Sequence, residues 1–256
     1  MSYLELHVAG FARRPRIAES SAQTQALARW GFARRIFSIG RRFVYSQAKP
    51  RGMYLHLHPQ NPQPRNIATI TDTLSAGGVI IYPTDTIYGL GCDIHQHKAI
   101  EKVCRIKNID PRKAQLSLIC YDLSDMSRYV KTVSTPVYRL LRNHLPGPYT
   151  FILPASKEVP KLLKSKKDTV GLRIPDNLIA RSIVKELGRP ILSASLPGVM
   201  VEEYTDPDII YENFGKLVDI VVNGGIGGMV PSTVIDCTGP SPVLLREGAG
   251  KWEYEA

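Results

Sequence analysis

Val79-Ile80-Ile81-Tyr82-Pro83-Thr84-Asp85-Thr86-Ile87-Tyr88-Gly89-Leu90-Gly91-Cys92 is the stretch on which the fold of this 256-residue chain turns. It opens with a short, unbroken run of β-branched and aromatic residues, the mark of a strand buried on both faces. Pro83 cuts the run, and the chain passes into a turn crowded with hydroxyls and glycine. Ligands of open α/β sheets gather beyond strand ends of this kind, where hydroxyls and free backbone amides converge. An ordinary Pro/Gly turn has the same composition, so the stretch gains meaning only in combination with others.

Upstream, residues 53–58 alternate apolar with polar side chains until the Pro and Asn cluster at 59–64, which predicts a short leading strand and a loop. A helix over 66–76 closes on Gly77 and Gly78. Downstream, helices are expected over 98–108, 124–130 with Ser124 as cap, 135–145, 180–187 and 208–214. Strands are expected over 116–120, 150–154, 169–174, 191–194, 218–222, 234–237 and 243–246. Strands and helices mixed over some 200 residues, with no repeat and no linker, indicate one α/β domain on a twisted, mixed sheet with flanking helices.

Composition excludes other classes. Hydrophobic residues make up 43% and charged ones 22%, and 20 Gly and 19 Pro are too scattered for a collagen-like or low-complexity chain. The net charge of +10 is unevenly placed: nine arginines and Lys49 against Glu5 and Glu19 give residues 1–52 a charge of +8, which leaves +2 for residues 53–256. The first segment, which lacks Asp and pairs its arginines, has the composition of an organelle leader or an RNA-binding arm. Its plainer reading is a poorly ordered extension upstream of a natural beginning at Met53. Cys92, Cys104, Cys120 and Cys237 lie 12, 16 and 117 residues apart, match no zinc spacing, and read as reduced core thiols of a cytoplasmic protein. No apolar run is long enough for a membrane span, so no membrane partner is expected.

Several later segments repeat the pattern of a buried strand ending in polar groups. Pro146-Gly147-Pro148-Tyr149-Thr150-Phe151 is a rigid turn feeding a strand, and Gly171-Leu172-Arg173-Ile174-Pro175 sets one Arg near a strand end. Ser193-Ala194-Ser195, Pro231-Ser232-Thr233-Val234-Ile235-Asp236 and Leu245-Arg246-Glu247-Gly248 follow in order. Hydroxyls and guanidiniums at strand ends suit phosphate and carboxylate groups. His95 and His97 have no accompanying carboxylate or Cys cluster and read as loop histidines, so no metal site is expected. Lys161, Lys164, Lys166 and Lys167 read as a solvated face.

Taken in order, these six segments resemble the YrdC/YciO family, over roughly residues 53–252. The resemblance implies a YrdC-like fold with a large concave, positively charged cavity, and the activity of a threonylcarbamoyl-AMP synthase in tRNA N6-threonylcarbamoyladenosine formation. Such an enzyme takes L-threonine, bicarbonate and ATP with Mg2+ as substrates and needs no tightly bound cofactor. Carried over by position, Thr84, Thr86, Tyr88, Arg173, Ser195 and Ser232 would face the substrate, and Lys107, Arg112, Thr150, Ser193 and Arg246 the nucleotide. Lys107 matches the Lys of a Lys-x-Arg signature, but Ile109 stands where the synthases have Arg. Gln115 and Cys120 align with their Asn and His, Pro197 falls where Ser-x-Asn ends, and Asn177 replaces a frequent His. The 108–114 loop is about two residues longer, which offers Arg112 or Lys113 as a substitute cation. Each lost donor is worth ~3 kcal/mol of transition-state stabilisation. The pattern is nearer the YciO branch, and the alternative expectation is a paralogue without full synthase activity that binds tRNA, double-stranded RNA or a nucleotide in the cavity.

Overall fold

The computed structural model describes residues 52–110, 116–163, 168–197 and 205–253. In chain order the strands are β1 (Met53–His56), β2 (Val79–Tyr82), β3 (Gly89–Asp93), β4 (Ser117–Ile119), β5 (Tyr149–Pro154), β6 (Thr169–Arg173), β7 (Ile191–Ser195), β8 (Ile220–Asn223), β9 (Thr233–Asp236) and β10 (Val243–Arg246). The helices are α1 (Pro64–Ser75), α2 (His97–Lys107), α3 (Leu123–Ser127), α4 (Thr135–His144), α5 (Leu178–Leu187) and α6 (Pro207–Phe214). The strands form one mixed sheet in the order β1-β8-β2-β3-β7-β4-β6-β5-β9-β10.

Register assigns each side chain to a face, because neighbours directly opposite point the same way. Ile81, Val221, Leu90, Leu192, Leu118, Leu172, Phe151 and Ile235 share one face and form a buried core with Cys92 and the apolar sides of α2, α4 and α6. The opposite face is divided. At one part Ile80, Tyr82, Ile119, Ile191, Ile220 and Val222 pack with α1 and α5 in a second core. Helix α1 supplies Ile67, Ile70, Thr71 and Leu74, the i, i+3, i+4, i+7 spacing of a single apolar stripe. Helix α5 supplies Ile179, Ala180, Ile183, Val184 and Leu187, and ends where Gly188 takes a φ of 70°. Elsewhere on that face the register sets out Gly89, Gly91, Ser193, Ser195, Ser117, Gly171, Arg173 and Thr150, which are small, hydroxylated or cationic.

Most expected elements form within a residue or two of their expected ends. Strand β3 is the exception: the sequence reading leaves residues 89–93 as part of a turn, yet all five are buried in a strand between β2 and β7. Glycine lowers β propensity, but here the Tyr82 ring lies over the strand. A Cβ on Gly89 or Gly91 would stand 3.0 or 2.9 Å from that ring. Asp122, not Ser124, caps α3, its carboxylate accepting the Asp125 N–H at 2.8 Å. The helix stops at Ser127, and Val130 bridges to Ala155 instead. Gly52, assigned to the extension by its sequence, donates its N–H to Gly215 O and accepts from the Tyr211 hydroxyl. Among the described residues, no helix is long and apolar enough to cross a membrane.

Candidate functional site

The loop that follows β2 is braced by its own threonines. The Thr84 hydroxyl donates to Ile87 O at 2.7 Å and accepts the Thr86 N–H at 3.0 Å, and the two hydroxyls lie 3.1 Å apart. This loop presents Asp85, whose carboxylate accepts from Arg173 Nη2 at 2.5 Å, while the same Nη2 donates to Thr86 Oγ1 at 2.8 Å. Both partners are about nine-tenths buried, and the pairing is incomplete: among the described residues Asp85 Oδ2 and Arg173 Nε have no hydrogen-bond partner.

Strands β5, β9 and β10 bring a second cation to the same face. Thr150 is opposite Val234 in the β5–β9 pair, and the Thr150 and Ser232 hydroxyls lie 2.8 Å apart. Arg246 Nη2 donates to Ser232 O at 2.7 Å and to Ser232 Oγ at 3.3 Å. Its direction depends on an irregular register: Leu244 pairs with Ile235 but Arg246 with Val234, so Leu245 is an extra residue in the strand. In regular register Arg246 would oppose Thr233 and face the first core. Burial lowers the Arg246 pKa, and the charge of Arg173 lowers it further. Arg173 follows Leu172 in the β5–β6 register as Thr150 precedes Phe151, so both arginines flank the Thr150–Ser232 hydroxyl pair.

A third cation comes from the end of α2. Lys107 Nζ donates to Ser195 O at 2.6 Å and to Ser195 Oγ at 3.0 Å, and burial lowers its pKa. Ser193 accepts the Tyr82 hydroxyl at 2.7 Å, and burial raises that phenol's pKa. Arg173, Arg246 and a row of hydroxyls thus stand on one sheet face beside Asp85, and Lys107 reaches the end of β7 at Ser195, an arrangement that receives anionic groups.

The structure therefore gathers most of the residues singled out in the sequence. Thr84 and Thr86 spend their hydroxyls within the loop and on Arg173. Tyr88 does not line the face: its ring is fully buried in the first core, and its hydroxyl donates to Gly225 O at 2.6 Å and accepts the Gly224 N–H. Desolvation pushes the Tyr88 phenol up to about 12. Arg112, with Lys113 and Gln115, lies outside the described residues. Ile109 packs against the first core instead of offering a charge.

Sequence reasoning missed two contributors. Asp85 was written in the motif, but its partner lies 88 residues away. The glycines of residues 224–228 wrap the first motif: Gly228 N–H donates to Thr86 O at 2.7 Å, and a Cβ on Gly227 would meet the Tyr88 ring at 2.7 Å. The crowding of four glycines between Asn223 and Met229 was the available signal. Among the described residues no three His, Cys, Asp or Glu side chains cluster as a metal site would require.

Comparison with known proteins agrees with this fold. The family described as Sua5/YciO/YrdC, telomere recombination, matches residues 72–248. The chain belongs to that family. It is 44% identical to the uncharacterised protein YciO of Escherichia coli K12 over 200 residues, which is 77% of this chain and 96% of that one. The YciO crystal structure superposes with a TM-score of 0.73 at 42% identity, covering 78% of this chain and 97% of that one. The threonylcarbamoyl-AMP synthase of Vibrio vulnificus is 30% identical over 186 residues, 72% of this chain and 98% of its own. The crystal structure of P. abyssi Sua5 complexed with L-threonine has a TM-score of 0.69 at 26% identity, covering 77% of this chain and 57% of that one. The chain is thus a mixed α/β member of the family, nearer to YciO than to the Vibrio synthase.

Proposed function

We propose that this protein is a nucleotidyltransferase of the threonylcarbamoyl-AMP synthase type, acting toward tRNA N6-threonylcarbamoyladenosine from L-threonine, bicarbonate and ATP. The observation that carries the reading is the placement of Arg173 and Arg246 on the sheet face that carries the Thr150 and Ser232 hydroxyls, within a family that includes a synthase and a threonine-bound relative. In the proposed reaction the threonine amine and bicarbonate give a carbamate and water. A carbamate oxygen then attacks the α-phosphorus of ATP, the bond to the β-phosphate oxygen breaks, and pyrophosphate leaves with the electron pair. Chemistry of this kind rests on positioning and on fixed cations that neutralise developing charge. Arg173 and Arg246 would take anionic oxygens, Thr150 and Ser232 would donate hydroxyl hydrogen bonds, and Mg2+ would accompany ATP as part of the substrate.

A second reading has its own support. Ile109 is half-buried against the core where synthases carry Arg, and the identity to YciO exceeds that to the synthase. This favours a paralogue that binds RNA or a nucleotide without full synthase activity. Threonine-dependent pyrophosphate release from ATP and bicarbonate separates the two. Release well above background supports the synthase. Its absence, followed by a strong rise in an Ile109→Arg, Pro197→Asn double variant, supports the paralogue.

A further inference from the structure

The Asp85–Arg173 pair has the features of a replaceable contact. It consists of one N–O approach where an Arg–carboxylate fork allows two, and it leaves a carboxylate oxygen and a guanidinium N–H without partners among the described residues in a buried place. Arg246 reaches the Thr150–Ser232 hydroxyl pair on the same sheet face as Arg173, while Asp85 pairs with Arg173. Asp85 lies in an irregular loop, not a strand, and the loop is tied by Thr84, Ile87 and Thr86, none of whose bonds involve Asp85. Release of Asp85 would therefore leave the loop closed. Arg173 would keep its bond to Thr86 Oγ1 and so remain in position.

From this geometry we propose that Asp85 is an internal counter-anion, which holds Arg173 in the free protein and is displaced when an anionic group of the ligand arrives. The ligand's oxyanion takes the place of the Asp85 carboxylate on Arg173, and Asp85 turns away. Affinity for anions is thereby set below what the cations alone would give, and a weakly charged group competes poorly with the resident carboxylate. The proposal rests on the anion-binding reading of the site and not on the identity of the reaction.

Inorganic pyrophosphate is the probe, titrated calorimetrically into the full chain and into Asp85→Asn. The amide keeps an acceptor for Arg173 but removes the competing charge. Removal of the competitor is expected to tighten pyrophosphate binding about tenfold, within the usual range of such couplings. Unchanged or weaker binding by the variant would make Asp85 an orienting residue and overturn the proposal. Binding by neither protein would overturn the anion-site reading together with it. Should Asp85→Asn fail to fold, the wild-type crystal structure with pyrophosphate decides: a broken Asp85–Arg173 contact supports displacement, and an intact one beside bound pyrophosphate refutes it.

Discussion

Two Asp–Arg pairs, at opposite ends of β3, share a 2.5 Å contact and little else. Asp93, with no exposed surface, accepts Arg189 Nε and Nη2 on one oxygen and the His95 N–H on the other. Arg189 spends its remaining donors on Leu187 O and Ser75 Oγ, and the bond from Asp93 raises its pKa. That pair is closed: every atom has its partner, and it ties the end of β3 to the segment after α5. Asp85 and Arg173, in contrast, leave one atom each unpartnered among the described residues, on a face that also carries Arg246. A satisfied buried pair holds a fold together, whereas an unsatisfied one is a place where something else can bind.

The contrast is broken most strongly at Asp93. Replacement by Ala leaves the partly exposed Arg189 without its carboxylate, and urea unfolding should show a loss of about 1.5–3 kcal/mol. Pyrophosphate release per folded molecule should stay at the wild-type level, because Asp93 is outside the site. Arg173→Ala should do the reverse in steady-state assays. Turnover is expected to fall about 10²–10³-fold, as it does when a fixed donor to developing charge is lost. Preserved turnover in that variant would remove Arg173 from the proposed chemistry. The smallest effect concerns Lys107. Binding of an anion needs its protonated form, and burial lowers its pKa below the ordinary lysine value. Pyrophosphate affinity should therefore be full at neutral pH and decline as the pH rises through that lowered value, earlier than an exposed lysine would allow. Lys107→Arg should carry binding to higher pH. By the same sign, the protonated lysine opposes folding, so stability should rise slightly as the pH passes through that window.

The legible parts of the molecule were those written in local pattern. Val79–Tyr82 announced a strand because four apolar side chains in a row suit burial on both faces, and α1 and α5 announced themselves by spacing and a terminal glycine. Strand β3 was hidden because Gly89 and Gly91 serve the Tyr82 ring, a contact between strands that no local propensity records. The site residues were legible as strand-end hydroxyls and cations. Their connections were not: Arg173 with Asp85, Lys107 with Ser195, and Tyr88 with Gly225 join segments 88, 88 and 137 residues apart. Tyr88 was expected at the substrate since it sits in the motif, yet an aromatic ring beside a buried strand has more to gain from the core.

The extra residue in β10 has a consequence for how this site can change. Val243, Leu244 and Leu245 are exposed on an edge strand, where pairing on only one side holds the register. A slip back to regular pairing would set Leu245 opposite Val234 and carry Arg246 to the other face, exchanging a guanidinium for an isobutyl group without altering one codon. The charge of the site is therefore a property of the alignment between two strands as well as of the residues they contain. Relatives that differ here by a single insertion or deletion should differ in ligand charge even where every arginine is retained.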